Sequence, residues 1–160
     1  RRRVPARRAR AAAALRLPAS GLPLPLCRLR RRRFARPARA RLGRRLPAHT
    51  TSSGKAIAAW NTGADAARRR AGFPPRVSRT VRTEADWDRC LESVRKVGYA
   101  VSHSESFDGA SSVAVPVIVH REAIASISVF GPTDAIEPKV DRIVPVLVAA
   151  SRRIARAHTS

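Results

Sequence analysis

The sequence predicts an α+β domain, with helices beside an antiparallel sheet, preceded by a disordered Arg-rich segment. Three observations carry this. Two β-type runs, 112–120 and 123–130, are separated by a short polar turn, the pattern of an antiparallel hairpin. Helical periodicity brackets the hairpin on both sides. The charge is also split. Residues 1–45 hold 17 Arg, no Lys and no acid, whereas residues 46–160 hold 16 Lys plus Arg against 11 Asp plus Glu. The formal net charge of +22 therefore belongs mostly to the front of the chain.

Residues 1–40 are nearly all Arg, Ala, Pro and Leu. They show no clean period of 2 or 3.6, and their prolines remove helix hydrogen bonds. High charge of one sign with few aromatics predicts disorder, and nothing before Leu42 reads as a strand. The composition is also that of GC-rich DNA translated out of frame. With no initiating Met the sequence reads as a fragment, whose native frame resumes near residues 41–45. The expected division is thus an out-of-frame or disordered segment, 1–40, and an incomplete domain, 41–160, long enough to bury a modest core.

In the second part, Ser52 or Ser53 can cap a short helix through Ile57 and Trp60, interrupted by Gly63. A second helical piece covers 64–70, and Gly72-Phe-Pro-Pro75 forces a loop. Thr83-Glu-Ala-Asp86 resembles a capping box, with Asp in place of the preferred Glu or Gln. Trp87, Leu91, Val94 and Val97 follow at helical spacing, and Gly98 is a natural stop. Residues 99–106 alternate small and polar side chains. The hairpin turns at His120-Arg-Glu122, and Pro116 requires an edge or a bulge. A last helix spans roughly 138–157, with Val140, Ile143, Val144, Leu147 and Ile154 on one side; Pro145 kinks it or marks its first turn.

Several function classes are excluded or weakened. No apolar stretch reaches the length of a membrane span, and Arg16 with four prolines breaks the run that superficially resembles a signal peptide. Cys27 and Cys90 form no CxxC, so a reducing cytoplasm is the default. His49, His103, His120 and His158 lack metal-ligand spacing, so no metal and no cofactor is expected. Ser-Ser-Gly-Lys55 is not a phosphate-binding loop, having no upstream glycine at the required distance. Ser52, His49 and Asp65 could form a nucleophile set, but nothing in the sequence orients them. The expectation is a binding module, not an enzyme.

Two blocks carry a resemblance. LPAHTTSSGKAI, residues 46–57, is followed some 50 residues later by Gly98-Tyr-Ala, Glu105, and GASSVAVPV at residues 109–117. Together with Ser-Val-Phe-Gly-Pro132 after the hairpin, they resemble the effector-binding domain of the IclR family of bacterial transcriptional regulators. The resemblance covers roughly residues 41–157. It implies a curved antiparallel sheet with flanking helices, related to the GAF sensor fold, and upstream strands that would fall within residues 1–40. It implies a small-molecule effector bound at Ser52, Ser53, Ser102, Ser112, Ser128 and Phe130. Ser102 stands where several members have Asp, and Phe130 where members that bind small organic acids have Ser. Phe130 makes the pocket smaller or more apolar, which favours an aromatic or bulkier carboxylic acid. The family further implies a homo-oligomer, dimer or tetramer, and DNA binding by a winged helix-turn-helix for which no segment here has the paired periodic helices.

The residues alone leave plainer readings open. Thr50 to Ser53 cluster hydroxyls before a helix N-terminus, where backbone N–H groups and Lys55 favour an anion, yet Ser52 and Ser53 also suit simple caps. Ser126 and Ser128 suit ordinary strand positions, and a lone Glu105 suits solvent. Two alternatives remain. One is a non-specific nucleic-acid binder acting through Arg1 to Arg45 by counterion release. The other is a hydrolase or transferase on a similar scaffold, for which the residues are wanting.

Overall fold

The computed structural model describes residues 45–159 and the backbone of a strand at residues 13–16. The rest of the Arg-rich front, including the expectation of disorder and Cys27, lies outside the described residues.

Four antiparallel strands form the sheet: β1 (Ala13–Arg16), β2 (Ala100–His103), β3 (Ala110–Val119) and β4 (Glu122–Pro132), in the order β1-β4-β3-β2. β3 and β4 make the expected hairpin, and the residues at its tip, His120 and Arg121, both have positive φ. Such a two-residue turn matches the right-handed twist of the flanking strands. β1 corrects the expectation of no strand before Leu42: Ala13 to Arg16 pair with Ser128 to Ala125. Four residues without alternation give no strand signal, so the open edge of β4 supplies what local propensity does not.

Pro116 sits in a central strand, yet it breaks no ladder. β2 begins opposite Ala114, two positions short of it, and the Pro116 carbonyl accepts from the Ser151 hydroxyl at 2.5 Å. The side of the backbone that lacks an N–H therefore faces a helix. The bulge lies just beyond, between Val117 and Ile118.

The helices are α1 (Ser52–Ala58), α2 (Thr62–Arg70), α3 (Glu84–Val97), the single turn α4 (Thr133–Ile136) and α5 (Val140–Thr159). Two boundaries differ from expectation. Thr51, not Ser52 or Ser53, caps α1 by accepting from the Gly54 N–H at 3.0 Å. Asn61 caps α2, so Gly63 lies inside that helix and the break falls at 59–61. Thr83 caps α3 as expected, and Asp86 accepts from the Thr83 hydroxyl at 2.6 Å. Gly98 ends the helix at φ 83°. A 3-10 turn, Glu137–Lys139, leads into α5, so Pro145 is interior and marks no first turn.

Alternation gives the sheet two different faces. Val113, Val115, Val117, Ala125 and Ile127 point to one side and pack under α5, with Leu147 and Ile136. Val140, Ile143 and Val144 join them, whereas Ile154 is exposed although Ala155 beside it still packs on this core. The other face is lined by Ala, Ser and Pro side chains. α1 lies across it, and α3 packs outside α1 through Trp87, Leu91 and Val94. Small side chains on this face let a helix approach the sheet closely.

Candidate functional site

The strand register places every strand residue of the expected site on the small-residue face. Ser102 pairs with Ser112, and Ser112 with Phe130, which makes one row across three strands. Ala100, Ala114 and Ser128 form the next row, and Pro116 with Ser126 the one after. Directly opposed residues of antiparallel strands point the same way, so Ser102, Ser112, Ser126, Ser128 and Phe130 share a surface. Ser126 and Ser128 are thus neighbours on one face.

α1 brings the second wall. Ser52 is buried, and its hydroxyl meets that of Ser112 at 2.7 Å. Ser53, one position on, is half-buried. Ser102 donates to the Thr50 carbonyl at 3.1 Å, and so does Ser106 at 2.5 Å. These bonds fasten the 3-10 turn Ala48–Thr50 to β2 and to the loop after it. Phe130 is 38% exposed, a partly open wall at the end of its row.

Lys55 has a role that the sequence did not show. Its ammonium donates to both Glu105 carboxylate oxygens, at 2.7 and 2.5 Å, and both side chains are buried. The expected free positive charge near the hydroxyls is therefore neutralised, and Glu105 is not a solvated surface residue. A local scan cannot pair two charges 50 positions apart.

His49 is completely buried, under the edge of Phe73. Its Nε2 donates to the Pro74 carbonyl at 3.1 Å, which leaves Nδ1 as an unprotonated nitrogen without a partner among the described residues. Burial pushes its pKa down to about 4; the Pro74 bond acts against this, and the Arg68, Lys55 and Arg76 charges add to it. An unfolded His titrates near 6.5, so the stability that neutral His49 confers is complete above pH ~6.5 and is lost as pH falls toward 4. We expect a loss on the order of 2–3 kcal/mol over that window. Urea unfolding at pH 7.5 and 4.5 checks it, because a His49→Asn variant must lose much less between the two; an equal loss would assign the acid sensitivity elsewhere.

The geometry does not assemble a nucleophile set. Ser52 pairs with Ser112, His49 with Pro74, and the Asp65 carboxylate with Trp87 Nε1 at 2.7 Å and with Arg69. A second polar group lies on the opposite face of the sheet. His103 Nδ1 and the Ser111 hydroxyl contact Glu137 Oε1 at 2.7 and 2.9 Å, and these bonds hold the Glu137 pKa below its usual value. No group of three His, Cys, Asp or Glu side chains among the described residues could hold a metal. No helix there is long and apolar enough to cross a membrane.

Comparison with known proteins places the chain in context. Residues 28–156 match the family described as bacterial transcriptional regulator IclR C-terminal. The matched range starts upstream of the boundary read from composition at residue 41. The glycerol operon regulatory protein of Streptomyces coelicolor is 30% identical over 118 residues, covering 72% of this chain and 46% of that protein. The Pca regulon regulatory protein of Pseudomonas putida is 31% identical over 116 residues, covering 69% and 40%. The chain thus spans less than half the length of these relatives. Among solved structures, the Thermotoga maritima IclR superposes with a TM-score of 0.82 at 24% identity, covering 92% of this chain and 60% of that one. A double mutant of the PobR inducer-binding domain from Acinetobacter, in complex with 3-hydroxybenzoic acid, superposes at 0.76 with 23% identity, covering 91% and 87%. At these identities the structural likeness establishes the fold.

Proposed function

Since this chain belongs to the IclR family of bacterial transcriptional regulators, through that family's C-terminal domain, we propose that it senses a small carboxylic or aromatic acid. Binding would modulate DNA recognition by a winged helix-turn-helix domain of the intact regulator, itself a homo-oligomer. One observation carries the ligand reading: Ser102, Ser112 and Ser128 share a sheet face with Phe130, and Ser52 closes on that face from α1. Ser128, and whichever of Ser52 and Ser112 does not donate to the other, can donate to a carboxylate without bringing a net charge, while the Ser102 proton stays on Thr50 and Lys55, spent on Glu105, does not compete for the acid. Phe130 offers an apolar surface to the body of the ligand. The complex of the PobR inducer-binding domain with 3-hydroxybenzoic acid supports an aromatic acid.

Calorimetric titration with benzoate, 3-hydroxybenzoate and glyoxylate tests the reading. Ser53→Ala, Ser112→Ala and Ser128→Ala should each weaken acid binding by about 1.5–3 kcal/mol, the usual worth of a hydrogen bond to a charged group. Phe130→Ser should shift preference toward glyoxylate, because it opens space and removes apolar surface. Unchanged affinity in all four variants would place the effector elsewhere.

A further inference from the structure

α5 buries one side against the sheet and turns a mixed apolar and basic side outward. At ~100° per residue, Arg142, Val146, Ala149 and Arg153 fall within ~60° of one another, opposite Leu147 and Ser151. All four are exposed, Val146 to 51%. The helix carries four Arg against one acid, Asp141. Among the described residues, Arg142, Arg152 and Arg153 pair with no carboxylate. Asp141 adjoins Arg142 in the chain, but neighbours in a helix do not face each other. Helix stability accounts for Arg152 and Arg153, which lie toward the C-terminus, where a cation complements the dipole. It does not account for Arg142, which stands in the first turn, where a cation is unfavourable. Small apolar side chains between arginines match a protein interface, with its apolar middle, polar rim and enrichment in Arg.

We propose that this face of α5 docks an acidic amphipathic helix of another protein. Other occupants fit it less well. The chain's own front, residues 1–45 with 17 Arg and no acid, is repelled. A second copy, related by a two-fold axis that sets Val146 against its Ala149, also sets Arg142 against its Arg153, a like-charge contact. A nucleic acid satisfies the guanidinium groups but lays phosphate over Val146 and Ala149. A lipid surface calls for Trp, Phe or Leu on the inserted side. An acidic helix meets both features at once. Arg142 and Arg153 are eleven residues apart, a rise of ~16 Å, so carboxylates about three turns apart reach both. Ala149 leaves room for small apolar side chains to approach between them. One face of a single helix is a small area, which places the complex among weak, transient ones. The proposal is independent of the acid-binding reading, because α5 and the serine rows lie on opposite faces of the sheet.

The test titrates the full chain against a synthetic Ala- and Leu-based helical peptide with Glu residues three turns apart on one face, and against the same peptide with Gln for Glu. Fluorescence anisotropy reads binding. The Arg-rich front attracts any anion, so the contribution of α5 is the difference between wild type and its surface variants, which should melt alike. Arg142→Ala and Arg153→Ala should each weaken the Glu peptide about two- to fivefold, the range of an exposed ion pair. Arg142→Glu/Arg153→Glu should weaken it about tenfold or more and should bind a Lys-ended peptide instead. Equal affinity for the Glu and Gln peptides overturns the proposal. So does Glu-peptide binding that the double reversal leaves unchanged, which belongs to the front. If wild type ignores the Glu peptide but binds a DNA duplex or phosphatidylglycerol vesicles through Arg142 and Arg153, the face serves a nucleic acid or a lipid and the proposal falls. Self-association that Val146→Glu abolishes would make the occupant a second copy, and the proposal falls again.

Discussion

Gly54→Ala should be among the most damaging single-methyl additions in the molecule, lowering stability by about 3 kcal/mol or more. A Cβ at Gly54 would stand 2.3 Å from the Ala48 carbonyl oxygen and 2.4 Å from the Ala48 Cα. Both atoms are backbone, so no rotamer relieves the clash. Either α1 or the 3-10 turn Ala48–Thr50 must move, and both are fastened on other sides: Ser52 to Ser112, Thr50 to Ser102 and Ser106, His49 to Pro74. Overpacking alone costs about 1–3 kcal/mol, and each neutral hydrogen bond lost in the shift adds about 0.5–1.5. The urea midpoint should fall by about 1 M or more for a slope of 1–3 kcal/mol/M. Gly63→Ala is the control. Its Cβ would meet only the Asn61 side chain, at 3.5 Å, and Ala is the better helix former by about 1 kcal/mol. The close approach would be disproved by a Gly54→Ala protein as stable as the wild type.

This contact also shows what kind of information the sequence holds. Gly54 was legible as part of a family block, but its reason is tertiary: a backbone 6 positions away that folds back against the helix. By contrast, the β3–β4 hairpin was legible from residues alone, because period-2 alternation on both sides of His120-Arg121 specifies faces and turn together. α3 was legible for a similar reason: Thr83 caps it, Trp87, Leu91 and Val94 face the core, and Gly98 stops it. β1 was not, because Ala13 to Arg16 form a strand only against an edge that β4 already presents. Of the candidate site, the residue types could be read from the motif, whereas their rows across the sheet follow from the strand register. Three things could not: the Ser52–Ser112 bond, Thr51 as the cap, and the absence of a partner for the Ser126 hydroxyl among the described residues. Each depends on how α1 sits over the sheet, and residue spacing along the chain does not encode that.

The pair Lys55–Glu105 gives the other large expected effect, and its sign depends on how many partners are removed. Two charges are held 2.5 Å apart with side-chain exposures of 4% and 9%, so neither can be rehydrated in place. Lys55→Met leaves an uncompensated buried carboxylate, and Glu105→Leu an uncompensated ammonium. Breaking a buried pair from one side costs about 3–5 kcal/mol. For a single domain with a stability on the order of 5–15 kcal/mol, either change takes a large share of the total. Glu105→Leu also removes the acceptor for the His103 N–H at 3.3 Å, which loosens the loop whose Ser106 bonds Thr50. The double variant Lys55→Met/Glu105→Leu should behave differently. It removes both desolvation penalties at once and puts apolar volume where the ion pair was, a replacement that is often neutral or stabilising by about 1–4 kcal/mol. Thermal and urea unfolding of the two singles and the double complete the cycle. Strong destabilisation in each single with recovery in the double would identify the pair as a mutual neutralisation that holds α1 against the loop after β2. Additive losses would instead mean that each charge has its own partner, and would leave Lys55 free to meet an anionic ligand after all.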